Sequence, residues 1–223
     1  MSFVARAVRR LFPLALLVLA PLAPAGGIDL RAPEEIANLL TPFLPDETAP
    51  GAGGQARLQR LVSQILETEG YFSPQIEFVE SDGDLRLTVA PGPRTVIAAV
   101  DVAVDGPLAA KTRQELIAGW ELPVGQPFRQ QDWNTAKQQI LSRLLAENHA
   151  AARLVDSQAT IDPATRQARL MARYDSGPPF RFGELRVEGL ERYPVTLVER
   201  HNCTVRPGEP YREADLNALQ TAL

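Results

Sequence analysis

Hydrophobic residues recur along this chain with two periods, and the two alternate. At Trp133, Ala136, Ile140 and Leu144 the spacing is i, i+3 and i+4, which lines one face of a helix. At Leu85, Leu87 and Val89 the period is two, which lines one face of a strand. From the start, the pattern predicts a strand over 28–31, then a helix opened by Pro33-Glu-Glu with Ile36, Leu39, Leu40 and Phe43 turned inward. Residues 45–55 are rich in Pro, Gly and Ala and read as a loop, including Gly51-Ala-Gly-Gly54. A second helix is expected from about Arg57, with Leu58, Leu61, Val62, Ile65 and Leu66 as its stripe and Glu69-Gly70 as its stop. An aromatic lead, Tyr71-Phe72, enters a strand running to Val79, and Ser81-Asp-Gly-Asp84 turns it into a partner over 85–89.

The same order, strand, helix, helix, strand, strand, follows again. The second unit reads as a strand over 96–104, a helix over 108–120 with Leu116, Ile117 and Trp120 inward, and a helix over 130–148. Its hairpin spans 153–161 and 168–174, turned at Asp162-Pro-Ala-Thr165. A third unit opens with an expected strand over 180–189, where the inward parity switches between Phe182 and Leu185 and predicts a bulge at Gly183. A helix with Val195 and Val198 follows, then a second helix begun by Leu216, Leu219 and Leu223, at which the sequence stops. Pro91-Gly-Pro93 and Gly177-Pro-Pro179 are stiff junctions.

Direct self-similarity supports this division. Gly125-Gln-Pro-Phe-Arg-Gln-Gln-Asp-Trp-Asn134 returns as Gly208-Glu-Pro-Tyr-Arg-Glu-Ala-Asp-Leu-Asn217, with Gly, Pro, Arg, Asp and Asn identical. The same offset lays Val104-Asp-Gly106 on Val187-Glu-Gly189. A period that long is one small domain and not one turn of a solenoid. Within the motif, Arg129 and Arg212 fall at helix N-caps, and Asp132 and Asp215 fall in first turns, where a carboxylate meets the positive end of the helix dipole. The expected organisation is 1–25 as a leader, 26–92 and 93–177 as complete units, and 178–223 as a truncated third.

Composition narrows the compartment and the chemistry. Residues 1–10 carry Arg6, Arg9 and Arg10 and no acid, 11–22 are apolar, and Ala23-Pro-Ala25 is a small-residue site, the pattern of a secretory signal peptide. The apolar run falls well short of the ~20 residues that span a bilayer. Removing the leader leaves 20 basic against 27 acidic groups, a surface unsuited to nucleic acid. The single cysteine, Cys203, forms no intrachain disulfide and is expected to be a small buried apolar residue.

Candidate catalytic groups are few. His149 at a helix end, His201 in an expected loop and Cys203 offer too few ligands for zinc. No serine sits in a nucleophile elbow, and Gly51-Ala-Gly-Gly54 lacks the strand and lysine of a phosphate loop. Asp82-Gly-Asp84 reads as a turn rather than a calcium loop. Trp120 and Trp133 sit at helical core spacing. The chain is therefore expected to be non-enzymatic, with no cofactor and no metal.

A signal peptide, tandem β-α-α-β-β units, Gly70-Tyr-Phe entering the second strand, Gly177-Pro-Pro-Phe-Arg-Phe-Gly183 opening a first strand and Val187-Glu-Gly-Leu190 closing it resemble the POTRA domains of Omp85-superfamily outer-membrane proteins. Ile28-Asp-Leu-Arg-Ala-Pro33, Glu69-Gly-Tyr-Phe-Ser-Pro74 and a third repeat where that family has its last are most similar to the TamA branch. The chain departs from the pattern at Asn148-His-Ala150, where an aromatic turn is expected, so this turn must pack differently. The barrel that defines the superfamily is not among these residues.

The resemblance implies α+β units, each a three-stranded mixed sheet covered on one face by two helices. It implies a periplasmic docking arm whose second strands accept extended segments by β-augmentation. Here those are Gln75, Ile76, Glu77, Phe78 and Val79 in the first unit, and Arg153, Leu154, Val155 and Asp156 in the second. The implied partners are an inner-membrane-anchored TamB-like protein, unfolded outer-membrane or autotransporter substrates, and the outer membrane through a following barrel. Two other readings stay open at this point: a free periplasmic scaffold without a barrel, and the POTRA region of another Omp85 or two-partner secretion transporter. Charged residues at the same strands, Glu77 and Glu80 or Arg153 and Asp156, also fit simple protection of solvated edges.

Overall fold

The computed structural model describes residues 26–48, 51–81, 84–192 and 194–223. The expected leader, 1–25, and the tip of the first hairpin, 82–83, lie outside the described residues.

The first unit comprises strand β1 (Gly26–Arg31), helix α1 (Glu34–Leu40), the two-residue strand β2 (Glu47–Thr48), helix α2 (Ala52–Thr68) and the hairpin β3 (Gln75–Ser81) and β4 (Asp84–Ala90). β1 runs parallel to β4, β3 runs antiparallel to β4, and β2 adds antiparallel to the start of β1, giving the order β2-β1-β4-β3. Leu85, Leu87 and Val89 of the central strand meet Ile36 and Leu40 of α1 and Leu58, Val62 and Leu66 of α2 in one buried core. Each of these side chains contributes roughly 2 kcal/mol on leaving water. α2 ends in a Schellman motif: Tyr71 N–H donates to Leu66 O at 2.9 Å and Gly70 N–H to Glu67 O at 3.1 Å, with Gly70 at φ 91°.

Two expectations fail in this unit. Phe43 is exposed, because α1 tightens into a 3-10 turn over Thr41–Phe43, and the change of pitch carries that position out of the helical stripe. The helix α2 begins at Ala52, so Gly51-Ala-Gly-Gly54 is its cap and first turn and not part of a loop. Glycines weaken a helix by about 1 kcal/mol each. Gly54, however, is buried four residues before Leu58, in line with the stripe that holds the rest of the helix to the sheet.

The second unit repeats the plan with strand β5 (Val96–Asp105), helices α3 (Ala110–Ala118) and α4 (Gln130–Ala146), and the hairpin β6 (Arg153–Asp162) and β7 (Gln167–Asp175) in the order β5-β7-β6. The stripe Trp133, Ala136, Ile140 and Leu144 is buried as the spacing predicts, and Arg129 is the N-cap with Asp132 in the first turn. Trp120 packs edge-on to Trp133 at 5.8 Å and donates its Nε1–H to Leu122 O at 2.8 Å. Ile117, expected inward, is exposed: with Leu116 facing the core, the next residue lies 100° further round α3. At the hairpin turn Asp162 Oδ1 accepts the N–H groups of Ala164 and Thr165 at 3.0 and 3.3 Å.

The third unit contains helices α5 (Val195–His201) and α6 (Glu213–Ala222). The strand expected over 180–189 does not form; its only pairing among the described residues is the bridge of Arg181 with Pro210, so the bulge expected at Gly183 has no ladder to interrupt. The reason is visible in the other units, where β1 and β5 are held by β4 and β7, the last strands of their own hairpins. No equivalent strand occurs among the described residues of the third. Phe180, Leu185, Leu190, Val195, Leu216 and Leu223 are exposed for the same reason, and of the α6 stripe only Leu219 is buried. Cys203 is exposed and not buried, beyond the end of α5 where no sheet covers it, and His201 closes α5 instead of lying in a loop.

The duplicated ten-residue motif is the joint between units. Thr95 N–H donates to Gly70 O at 2.9 Å and Phe128 N–H to Thr95 O at 2.8 Å; correspondingly, Phe180 N–H donates to Asn148 O at 2.6 Å and Tyr211 N–H to Phe180 O at 3.1 Å. Beside them, Gly125 N–H donates to Ile97 O at 2.8 Å, and Gly208 N–H to Phe182 O at 2.8 Å. The motif therefore holds the opening segment of the second and of the third unit between the preceding unit's helix end and its own second helix.

Candidate functional site

A sheet of this kind has two outer strands, and each outer strand carries N–H and C=O groups that its neighbour does not use. Four strands stand at such positions: β2 and β3 in the first sheet, β5 and β6 in the second. They are not equivalent. β2 itself covers the outer side of β1 at Gly26 and Gly27. β5 is occupied at its start, where Ile97 N–H donates to Gln126 O at 2.9 Å while Ile97 O accepts from Gly125. It is also occupied at its end, where Arg113 donates from Nε to Val104 O and from Nη2 to Gly106 O at 2.8 and 2.9 Å. Among the described residues no strand or side chain caps the outer backbone of β3 or β6 in this way.

The residues singled out in β3 fall on two faces. Ile76 and Phe78 turn toward the helices and pack on the core formed by Leu58, Val62 and Leu87. Gln75, Glu77 and Val79 are exposed on the other face, paired across to Ala90, Thr88 and Arg86. Glu80 accepts a 2.8 Å hydrogen bond from Gln55 Nε2, which ties the end of the edge to α2.

In β6 the singled-out residues straddle an irregularity. Arg153 pairs with Asp175 in the ladder and through a 3.0 Å Nη2–Oδ2 ion pair, and Leu154 pairs with Tyr174. The register then shifts, Val155 is left unpaired and exposed, and Asp156 resumes the ladder opposite Arg173. A bulge bends a strand and interrupts its outer hydrogen-bonding line. The regular part of this edge is therefore Asp156–Asp162, longer on the far side of the bulge than the four residues singled out from sequence. The parity jump between Leu154 and Ser157 was the available signal, since both turn to the core side while Val155 and Asp156 between them are exposed.

Charges on the sheet surfaces are mostly paired. The Arg86 guanidinium holds the Asp29 carboxyl below the usual range, with Arg31 adding to it. Arg173 does the same for Asp101, with a further Nη1–Oδ1 hydrogen bond of 2.9 Å. Asp175 is lowered by the Gly177 N–H first and by Arg153 second. These straps run across the strands and leave the outer backbone of β3 and β6 untouched.

The two histidines lie apart in the chain's fold, His201 exposed at the end of α5 and His149 buried. His149 is buried at the position Tyr71 holds in the first unit, and Ala150 stands where Phe72 stands, so the second turn packs an imidazole in place of an aromatic pair. Among the described residues no three His, Cys, Asp or Glu gather at metal-binding range, and no helix is long and apolar enough to cross a membrane. A cavity of about 540 Å³ opens between α4 and the 121–127 segment and is bordered by Arg94, Arg129, Asp132 and Gln139.

The architecture is thus a tandem α+β arrangement in which a three-stranded mixed sheet, extended in the first unit by the two-residue β2, is backed by two helices in each of two units. No protein-family model matches the chain. Among solved structures it is similar to POTRA domains 3–5 of BamA from Haemophilus influenzae, at 15% identity and TM-score 0.49 over 92% of this chain and 87% of that one. It is also similar to POTRA domains 1–3 of the periplasmic domain of Omp85 from Anabaena, at 14% identity and TM-score 0.41 over 89% and 81%. A further likeness is to CdiB from Escherichia coli, at 14% identity and TM-score 0.32 over 73% of this chain and 29% of that one.

Proposed function

We propose that this chain is a periplasmic POTRA arm of an Omp85-type outer-membrane assembly or translocation protein, of the TamA branch. The arm is non-catalytic: β3 and β6 accept extended segments of client or partner proteins by backbone pairing. In this reading residues 1–25 direct export, 26–92 and 93–177 are the docking units, and 178–223 belongs to a third unit leading toward a barrel. The first unit meets an inner-membrane-anchored TamB-like partner, and unfolded outer-membrane or autotransporter segments are the clients. Gln75, Ile76, Glu77, Phe78 and Val79, with Arg153, Leu154, Val155 and Asp156, are the proposed contact residues, extended by 157–162.

One observation carries this reading. In each complete unit, the strand at one side of the sheet is capped at one or both ends by the chain itself, and among the described residues the strand at the other side carries no such cap. Hydrogen–deuterium exchange with an extended client peptide is the test. Slowed exchange confined to β3 or β6 is the expected result; slowed exchange only on the helices, or none at all, sinks the strand-docking reading.

A further inference from the structure

The two joints share their backbone bonds and differ in the side chains that close them. At the first, Glu69 is only 17% exposed and receives Arg129 in a bidentate pair, Nε–Oε2 at 2.8 Å and Nη2–Oε1 at 3.2 Å, with Arg94 Nη2 at 3.7 Å on the same carboxylate. Arg94 also lies 5.0 Å over the Tyr71 ring, and Phe72 packs on the buried Phe128 at 5.9 Å. Thr95, the residue between the units, is buried. Gly70 lets the backbones meet: a Cβ there would lie 2.1 Å from Phe128 O.

At the second joint each of these fittings is weaker. Glu147 and Arg212 meet in a single 3.7 Å contact, with the side chains 68% and 62% exposed. Ala150 stands in place of Phe72, and Pro179 in place of Arg94, so neither the aromatic pair nor the stacked cation exists. Tyr211 turns to Phe182 of its own unit at 5.5 Å. The helix α6 also contacts α4.

We propose that the arm bends at its second joint and holds its angle at the first. A bidentate ion pair with one partner largely buried, a stacked guanidinium and an aromatic pair each fix a relative orientation. A single exposed ion pair is screened by salt and fixes little. One backbone hydrogen bond between the units, Phe180 N–H to Asn148 O, remains as the hinge pin, so the third unit swings while staying attached. The inference rests on the joints alone and stands apart from what docks on the strand edges.

Spin labels across each joint test it directly. With Cys203→Ser as background, Arg57→Cys with Thr160→Cys spans the first joint, Thr160→Cys with Gln220→Cys spans the second, and Arg200→Cys with Gln220→Cys reports on the third unit alone. Double electron–electron resonance should give a distance distribution about twice as broad across the second joint as across the first, with the third unit's internal pair narrow, as expected where few contacts cross. Higher ionic strength should broaden the second distribution and leave the first unchanged. Equal widths across the two joints would overturn the proposal. So would an internal pair in the third unit as broad as the pair spanning the second joint, which would place the motion within the unit and not at the joint.

Discussion

Glu69 and Arg129 close the first joint with two charge-assisted hydrogen bonds of 2.8 and 3.2 Å, and Glu147 and Arg212 stand in the same relation at the second joint at 3.7 Å. One sequence device, a glutamate at a helix end and an arginine at the N-cap of the following unit's second helix, is thus used twice with unequal strength. Glu69→Gln should cost about 1–2 kcal/mol of stability, kept to that range because Arg129 is partly exposed. Glu147→Gln should cost less than about 0.5 kcal/mol. Urea titration of the two variants checks the ordering, and equal losses would contradict it.

Gly70 and Gly125 both sit at positive φ, 91° and 94°, but only Gly70 faces another backbone. Gly125→Ala should cost about 1–2 kcal/mol, the conformational penalty alone. Gly70→Ala adds a clash with Phe128 O and should cost well beyond that, with the thermal midpoint falling correspondingly further. A Gly70→Ala variant as stable as Gly125→Ala would mean that the two units are not in close contact there.

Proline scanned through positions 75–79 separates docking from folding. In an antiparallel edge strand every second amide points away from the ladder, so alternate variants lose only an outward donor. Those variants should keep their circular dichroism and lose client capture, while the intervening ones should unfold the first unit. Undiminished capture by every folded variant would count against β3 as a docking edge.

The pH profile follows from the carboxylates and one phenol. Asp29, Asp101, Asp162 and Asp175 are all lowered in the folded chain, by Arg86, Arg173, Thr165 and the Gly177 N–H respectively as the leading causes. A lowered carboxyl stabilises the fold above its unfolded value of about 3.9 and loses that contribution as pH falls through the folded value. Burial pushes the Tyr174 phenol up to about 12, and its O–H donates to Lys137 O at 3.0 Å. A raised phenol stabilises below the unfolded value of about 10, and the contribution disappears as pH climbs through the folded one. Chemical denaturation against pH should therefore show a plateau between these limits. Asp-to-Asn changes at the four sites should flatten the acid limb, and Tyr174→Phe should flatten the alkaline one. An alkaline limb unaltered by Tyr174→Phe would contradict the assignment.

Much of the fold was legible in the residues because its signals are local. The stripe Trp133 to Leu144, the stop at Glu69-Gly70 and the hairpin turn at Asp162 each depend on neighbours within a few positions, and the structure shows each of them where the spacing put it. What spacing could not reach was set by residues far along the chain. Residues 180–189 read as a bulged strand but have no ladder, since β1 and β5 show that such a strand is held by the end of its own hairpin. Cys203 and Phe43 are apolar enough to be buried, yet nothing covers them. The openness of β3 and β6 is of this second kind. Their alternation identifies them as strands, but they are edges only because β4 and β7 take the central places, and β1 and β5 the opposite sides. Backbone hydrogen bonds carry no residue identity, so strand order, and with it the exposed edge, is chosen by how the hydrophobic faces of distant segments pack together.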